Sequence, residues 1–302
     1  SVFLACERIK AMTGNEELAG HESVAGHHSI TLPADEAANA AIIDSLSDKF
    51  PELRFISEEH DDDPARNAKL VTLLTLYTRI QELQTVAIID PVCGTSGLRT
   101  GHYEWSTSIG FARPSKNALE FFGGVALAPA VHGGMIVMCE TGTDVFIGKN
   151  VCAETPTIEI AKPAKNPQPK NWYVEIGPDI FTLPQYSRFL LETSRQVRTT
   201  NASGSCPLGI MKVVAGMTDA FVQPHQKAVD WAGTYPAVIQ AGGAWIFYHF
   251  RGGYPVRMTE PDILSFAPGD ARYTAFIAAG TTQCAEWLWR ILSENWGKPV
   301  LP

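Results

Sequence analysis

The sequence predicts an α+β fold built in mixed layers with largely antiparallel sheets, and three observations predict it. The first third carries apolar residues at helical spacing. The middle third is a string of short apolar or alternating runs cut by Gly and Pro. The last third alternates strand-like and helix-like segments. Eight regular βα units would repeat one pattern from end to end, and this order does not. With 302 residues, 45% apolar and 19% charged, the chain can bury a sizeable core and lacks the balance of a disordered one.

The opening SVFLACERIKAM predicts a helix, its apolar stretch being too short for a signal peptide. Residues 13–30, rich in Gly, His and Ser, predict a loop. Ala38, Ile42, Leu46 and Phe50 line one face of a helix over 35–50, and Leu53 to Ser57 is a strand ending at Glu58 and Glu59. After a solvated break at HDDDP, residues 60–64, Leu70, Leu73, Leu74, Tyr77 and Ile80 mark an amphipathic helix over 66–83. The apolar run Val86 to Ile89 then delivers Asp90 and turns sharply through Pro91 and Gly94.

Strands follow over 105–112, 124–128, 135–139 and 144–147. The connector AKPAKNPQPK, 161–170, separates an N-terminal part, 1–168, from a C-terminal part, 169–302. The second part holds strands at 172–176, 220–222 and 244–248 and helices at 186–195, 206–215, 230–241 and 281–295.

A formal charge of −8 with no basic run argues against a nucleic-acid partner. No stretch approaches the roughly 18–20 apolar residues of a membrane span. Six scattered cysteines without a CxxC pair read as reduced thiols and place the protein in the cytoplasm.

Three acids fall at element edges: Glu58, Asp90 and Asp230. Such positions are held by rigid elements yet open to solvent, which a site gathered from distant segments requires. The turn after Asp90 aims carbonyls and short polar side chains at one spot, suiting a hard cation and a phosphate. Cys93 is the anomaly, a soft sulfur where another carboxylate would complete the set.

Five segments in order carry a resemblance: LPAD (32–35), FISEE (55–59), DPVCGT (90–95), SGSCPL (203–208), and Val229-Asp230-Trp231-Ala232 with Ala241-Gly242-Gly243. The chain resembles the inositol monophosphatase family of magnesium-dependent phosphatases, related to the fructose bisphosphatases. The resemblance implies a layered αβαβα sandwich. It implies that Glu58, Asp90 and the Val92 carbonyl hold one Mg²⁺, and Asp90, Cys93 and Asp230 a second. Thr95 would orient the attacking water, with Glu58 as its carboxylate partner and Asp35 behind it. Gly94, Thr95 and Ser96 would meet the phosphate. Gly204, Ser205, Cys206 and Gln223 lie where the family recognises the organic half of its substrate. A homodimer is also implied.

The chemistry agrees, since phosphomonoester hydrolysis needs divalent ions on both the entering and leaving oxygens. The departures matter as much. Cys93 weakens the second Mg²⁺ site and invites Mn²⁺ or Zn²⁺ instead. Gln223 replaces an acid, Val229 the usual Trp and Leu32 the usual Thr, which disfavours inositol monophosphate, while Lys227 is placed to greet a further anionic group.

The reading is a metal-dependent phosphomonoesterase for a small phosphorylated sugar, cyclitol or nucleoside metabolite. The alternative is a catalytically impaired or repurposed member that binds a phosphorylated ligand or performs non-hydrolytic chemistry.

Overall fold

A computed structural model describes residues 2–12, 21–22, 30–31, 33–59, 63–70, 84–115, 118–258 and 274–298. Residues 60–62 of the expected break over 60–64, and most of the expected helix over 66–83, lie outside these residues. Where that helix is described it is corrected, because a helical turn over 64–67 ends at Asn67 and Leu70 bridges to Phe55. Helix α1 (Val2–Met12) and helix α2 (Pro33–Lys49) match the opening pattern. Within the expected loop over 13–30, β1 (His21–Glu22) pairs antiparallel with β2 (Ile30–Thr31), a correction to that expectation. Short pairing segments of two residues carry no periodicity for a sequence pattern to reveal.

Seven strands form the first sheet in chain order: β3 (Arg54–Ser57), β4 (Val86–Cys93), β5 (Ser106–Ser115), β6 (Ala118–Ala128), β7 (Met135–Glu140), β8 (Phe146–Lys149) and β9 (Thr157–Ile160). Only the β3–β4 pair is parallel. All eight residues of β4 are buried, as expected of a strand covered on both faces. The short helices α3 (Pro64–Asn67) and α4 (Thr95–Arg99) flank β4 in sequence.

The second sheet has the order β11-β10-β12-β15-β13-β14. Its strands are β10 (Tyr173–Ile176), β11 (Thr199–Ala202), β12 (Ala220–Gln226), β13 (Ala244–Arg251), β14 (Tyr254–Arg257) and β15 (Thr274–Ala279). Helices α5 (Ser187–Gln196), α6 (Cys206–Val214), α7 (Ala228–Ala232), α8 (Tyr235–Gln240) and α9 (Thr282–Asn295) complete the described α-helices, with short 3-10 turns between elements. The expected helix over 230–241 is therefore two. Gly233 lies where a Cβ would come within 2.3 Å of Ser108 Oγ, and Pro236 fits the first turn of the second helix because it needs no amide partner there.

These elements stack in five layers, an αβαβα sandwich. Helices α1 and α2 cover one face of the first sheet. Helices α6, α7 and α8 lie between the sheets, and α5 and α9 cover the far face of the second. Trp231 is wholly buried in the middle layer, packed on Phe121, Tyr235 and Phe247. It is a core residue.

Candidate functional site

The sharp turn expected through Pro91 is instead a bulge followed by a turn. Strand β4 runs on to Cys93, with Asp90 opposite Ser108 and Cys93 opposite Ser106, so one extra residue is accommodated between them. Pro91, which has no amide to donate, fits a bulge. The chain turns only at Gly94, whose φ of 93° is left-handed and where a Cβ would meet the Glu104 carbonyl at 2.7 Å. The bulge re-aims the end of the strand, and α4 starts at Thr95.

This geometry brings Asp90, Cys93 and Asp230 together, with one ligand atom of each within 4.8 Å of the others. Asp90 is completely buried, and neither of its carboxylate oxygens meets a hydrogen-bond donor in good geometry. Asp230 lies in the first turn of α7; its Oδ2 accepts the Lys227 backbone N–H at 2.8 Å. Its Oδ1 faces the Cys93 thiol at 3.9 Å. Cys93 Sγ in turn accepts the Cys206 N–H at 3.3 Å.

Burial pushes Asp90 well above the usual carboxylate range, and the charges of Glu58 and Asp230 push it further. Burial and then Glu58 raise Asp230 to about 8, against the opposing pull of Lys227. Cys93 is also pushed up, by burial first and then by Asp90 and Asp230. Three acidic groups are thus packed where only a cation or protons can relieve them.

The residues fit a divalent ion in that sense: Asp90 is a buried carboxylate without a donor, beside two further ligand atoms. Two oxygens and one sulfur are a mixed donor set. Mg²⁺ would use the oxygens and keep its waters, whereas a borderline ion would also accept sulfur.

Glu58 follows β3, its N–H bonded to the Ile89 carbonyl at 3.2 Å. Its Oε1 accepts Lys227 Nζ at 2.8 Å, so Lys227 reaches an acid of this chain. The Thr95 hydroxyl lies 2.9 Å from the Val92 carbonyl and 3.3 Å from Asp35 Oδ1, and its single hydrogen serves one of them at a time. Asp35 is buried in the first turn of α2.

A cavity of about 290 Å³ opens over these groups. Glu58, Val92, Cys93, Gly94, Thr95, Ser96, Gly204, Cys206, Gln223 and Asp230 all line it, and Glu59 joins them. Ser205 is different. It is fully buried, its hydroxyl 2.7 Å from Ser106 Oγ, and it caps α6 through the Leu208 N–H. That places its hydroxyl in the framework and away from the cavity.

Sequence reasoning passed over Asp179, which lines the cavity and accepts Gln223 Nε2 at 3.3 Å. The signal available was weak: an acid directly after a strand and a Gly-Pro pair. It also passed over the buried Lys212, whose ammonium donates to Glu175 Oε1 at 2.9 Å and to Glu104 Oε1 at 3.1 Å. Glu104 Oε2 accepts the Gly204 N–H at 3.4 Å, tying that pair to the cavity wall.

The sequence profile of the inositol monophosphatase family matches residues 3–259. Among curated proteins no sequence matches at a significant level. Solved structures do match. Extragenic suppressor protein SuhB of Bartonella henselae is similar at 20% identity and a TM-score of 0.71, over 96% of this chain and 94% of that one. An inositol monophosphatase of Thermotoga maritima aligns at 19% identity and 0.68, over 95% and 93%. A staphylococcal type II inositol monophosphatase with inositol monophosphate bound gives 17% and 0.64, over 97% and 91%. At such identities the structural likeness speaks to fold. No described helix is long and apolar enough to cross a membrane.

Proposed function

We propose, from the premise that this chain belongs to the inositol monophosphatase family, that it is a metal-dependent phosphomonoesterase. Its substrate class is a small phosphorylated sugar, cyclitol or nucleoside metabolite. The observation that carries the reading is Asp90, a wholly buried carboxylate without a donor, set beside Cys93 and Asp230 under an open cavity. A divalent ion, when bound by Asp90, Asp230 and the sulfur or a water near it, would supply charge neutralisation for the phosphoryl oxygens.

The remaining work falls to side chains of the protein. The Thr95 hydroxyl holds the attacking water and passes its proton toward Asp35, which stands 3.3 Å behind it. The backbone of Gly94, Thr95 and Ser96 cradles the phosphate at the turn. Glu58 is the second carboxylate at the water. Asp179 and the amide of Gln223, which line the same cavity, address hydroxyl groups of the organic half. With a neutral amide at 223, Asp179 is the charged acceptor for those hydroxyls.

Phosphate release from a panel of sugar, cyclitol and nucleoside phosphates with Mg²⁺, Mn²⁺ or Zn²⁺ tests this. Release with at least one pair is expected. Silence across every pair refutes hydrolysis. Tight binding of a phosphorylated compound without turnover then establishes the alternative that Cys93 favours, a member that has kept the cradle and lost the chemistry.

A further inference from the structure

We propose that the Lys227 ammonium stands in for a divalent cation at Glu58, so that the substrate-free protein binds a single divalent ion, at Asp90, Cys93 and Asp230. The inference rests on reading that triad as a metal centre. It concerns how many ions the site takes and which charge serves the Glu58 side.

Lys227 Nζ donates to Glu58 Oε1 at 2.8 Å, a charge-assisted bond across 169 residues of sequence. The Glu58 side chain is only 20% exposed, so the bond is partly sheltered from water. The lysine is also fixed at its root. Its backbone N–H is held by Asp230 Oδ2 at 2.8 Å, where it begins α7. One carboxylate of the triad therefore sets the residue whose ammonium reaches Glu58.

Charge at the contact itself points the same way. Lys227 neutralises Glu58 directly, whereas Asp90 and Asp230 bring two negative charges when ionised, the charge of one divalent ion; Glu59 and Asp179 line the cavity beyond them. An ion entering at Glu58 would have to break the ammonium's bond and then sit beside a like charge. Asp90 has no ammonium competitor: neither of its oxygens meets a donor in good geometry, and its polar neighbours are the other two members of the triad. The demand for a cation is concentrated at the triad, and Glu58 is already served.

Equilibrium dialysis against Mn²⁺, followed by elemental analysis of the protein, counts the ions directly. We expect one per chain in the wild type and in Lys227→Arg, and two in Lys227→Met and Lys227→Gln. The Lys227 side chain is 37% exposed, so shortening or neutralising it leaves no buried cavity, and circular dichroism verifies the fold. Two ions in the wild type, or one in both neutral variants, would overturn the inference and leave the phosphatase reading standing. No ion bound to the wild type would overturn both.

Discussion

At the scale of single residues, Cys93 decides how the site treats its cation. Its thiol is pushed well above its usual range by burial, then by Asp90 and Asp230, so without a metal it carries no charge. A neutral thiol is a poor partner for Mg²⁺. Cys93→Asp completes an oxygen set around Asp90 and Asp230. We expect Mg²⁺ to bind at least ~10-fold more tightly and Mg²⁺-dependent phosphate release to rise with it. A fall in both, measured by calorimetric titration and phosphate assay, would assign the sulfur a task of its own. The acids make a second prediction, for protein stripped of ions by chelation. Folded Asp230 holds its proton up to about pH 8, against an ordinary value of 3.8, and Asp90 is raised as well. Between those limits these two groups bind more protons in the folded state than in the unfolded one, so their contribution to stability is full below about pH 4 and is lost as pH climbs through about 8. Thermal melts at pH 5, 6, 7 and 8 are expected to show a steadily falling Tm. Saturating Mn²⁺ should flatten the slope, because the ion takes the place of the protons.

At the scale of elements, the site depends on how closely α7 lies on the first sheet. Gly110 in β5 is the contact point: a Cβ there would come within 2.6 Å of the Ala232 backbone. Gly110→Ala is expected to lift α7, costing about 1–3 kcal/mol of stability and moving Asp230 away from Asp90. Denaturant melts and Mn²⁺ titration on the same variant check both effects, and an unchanged ion affinity would show that α7 does not set the triad. What the sequence disclosed follows from how local each feature is. The run from Asp90 to Thr95 was readable because one strand end and one turn hold it. The helix α6 was readable because Ser205 and Pro207 mark its start. The strands β9 and β11 were missed, since four residues give too little alternation to stand out. Strand β15 was missed because TAFIAA is a short, Ala-rich apolar run that fits helix and strand alike. The Lys227–Glu58 bond and the bulge at Pro91 were out of reach for another reason: both depend on a partner segment that no local pattern names.

At the scale of the whole molecule, the ion ties together parts that are distant in the chain. Asp90 and Cys93 end a strand of the first sheet, and Asp230 belongs to the middle layer that follows β12 of the second. The core between the sheets is shared in the same way, with Val86 and Ile88 from one side, Trp231 from the middle, and Phe221 and Phe276 from the other. We therefore expect residues 1–168 and 169–302 to unfold together, in one calorimetric transition. An ion that binds only the folded state raises stability by ~2.7 kcal/mol at a hundredfold excess over its Kd. For a chain of this length, that corresponds to a rise in Tm of roughly 5 °C. The net charge of −8 complicates the measurement, because any salt relieves self-repulsion. The titration is therefore run at constant ionic strength, with Asp90→Asn as the control that keeps the surface charge and loses the buried ligand. A Tm rise in the wild type that Asp90→Asn abolishes identifies the triad as the source. An equal rise in both would assign the stabilisation to the acidic surface, and two transitions of which only one moves would show the halves to be separate folding units.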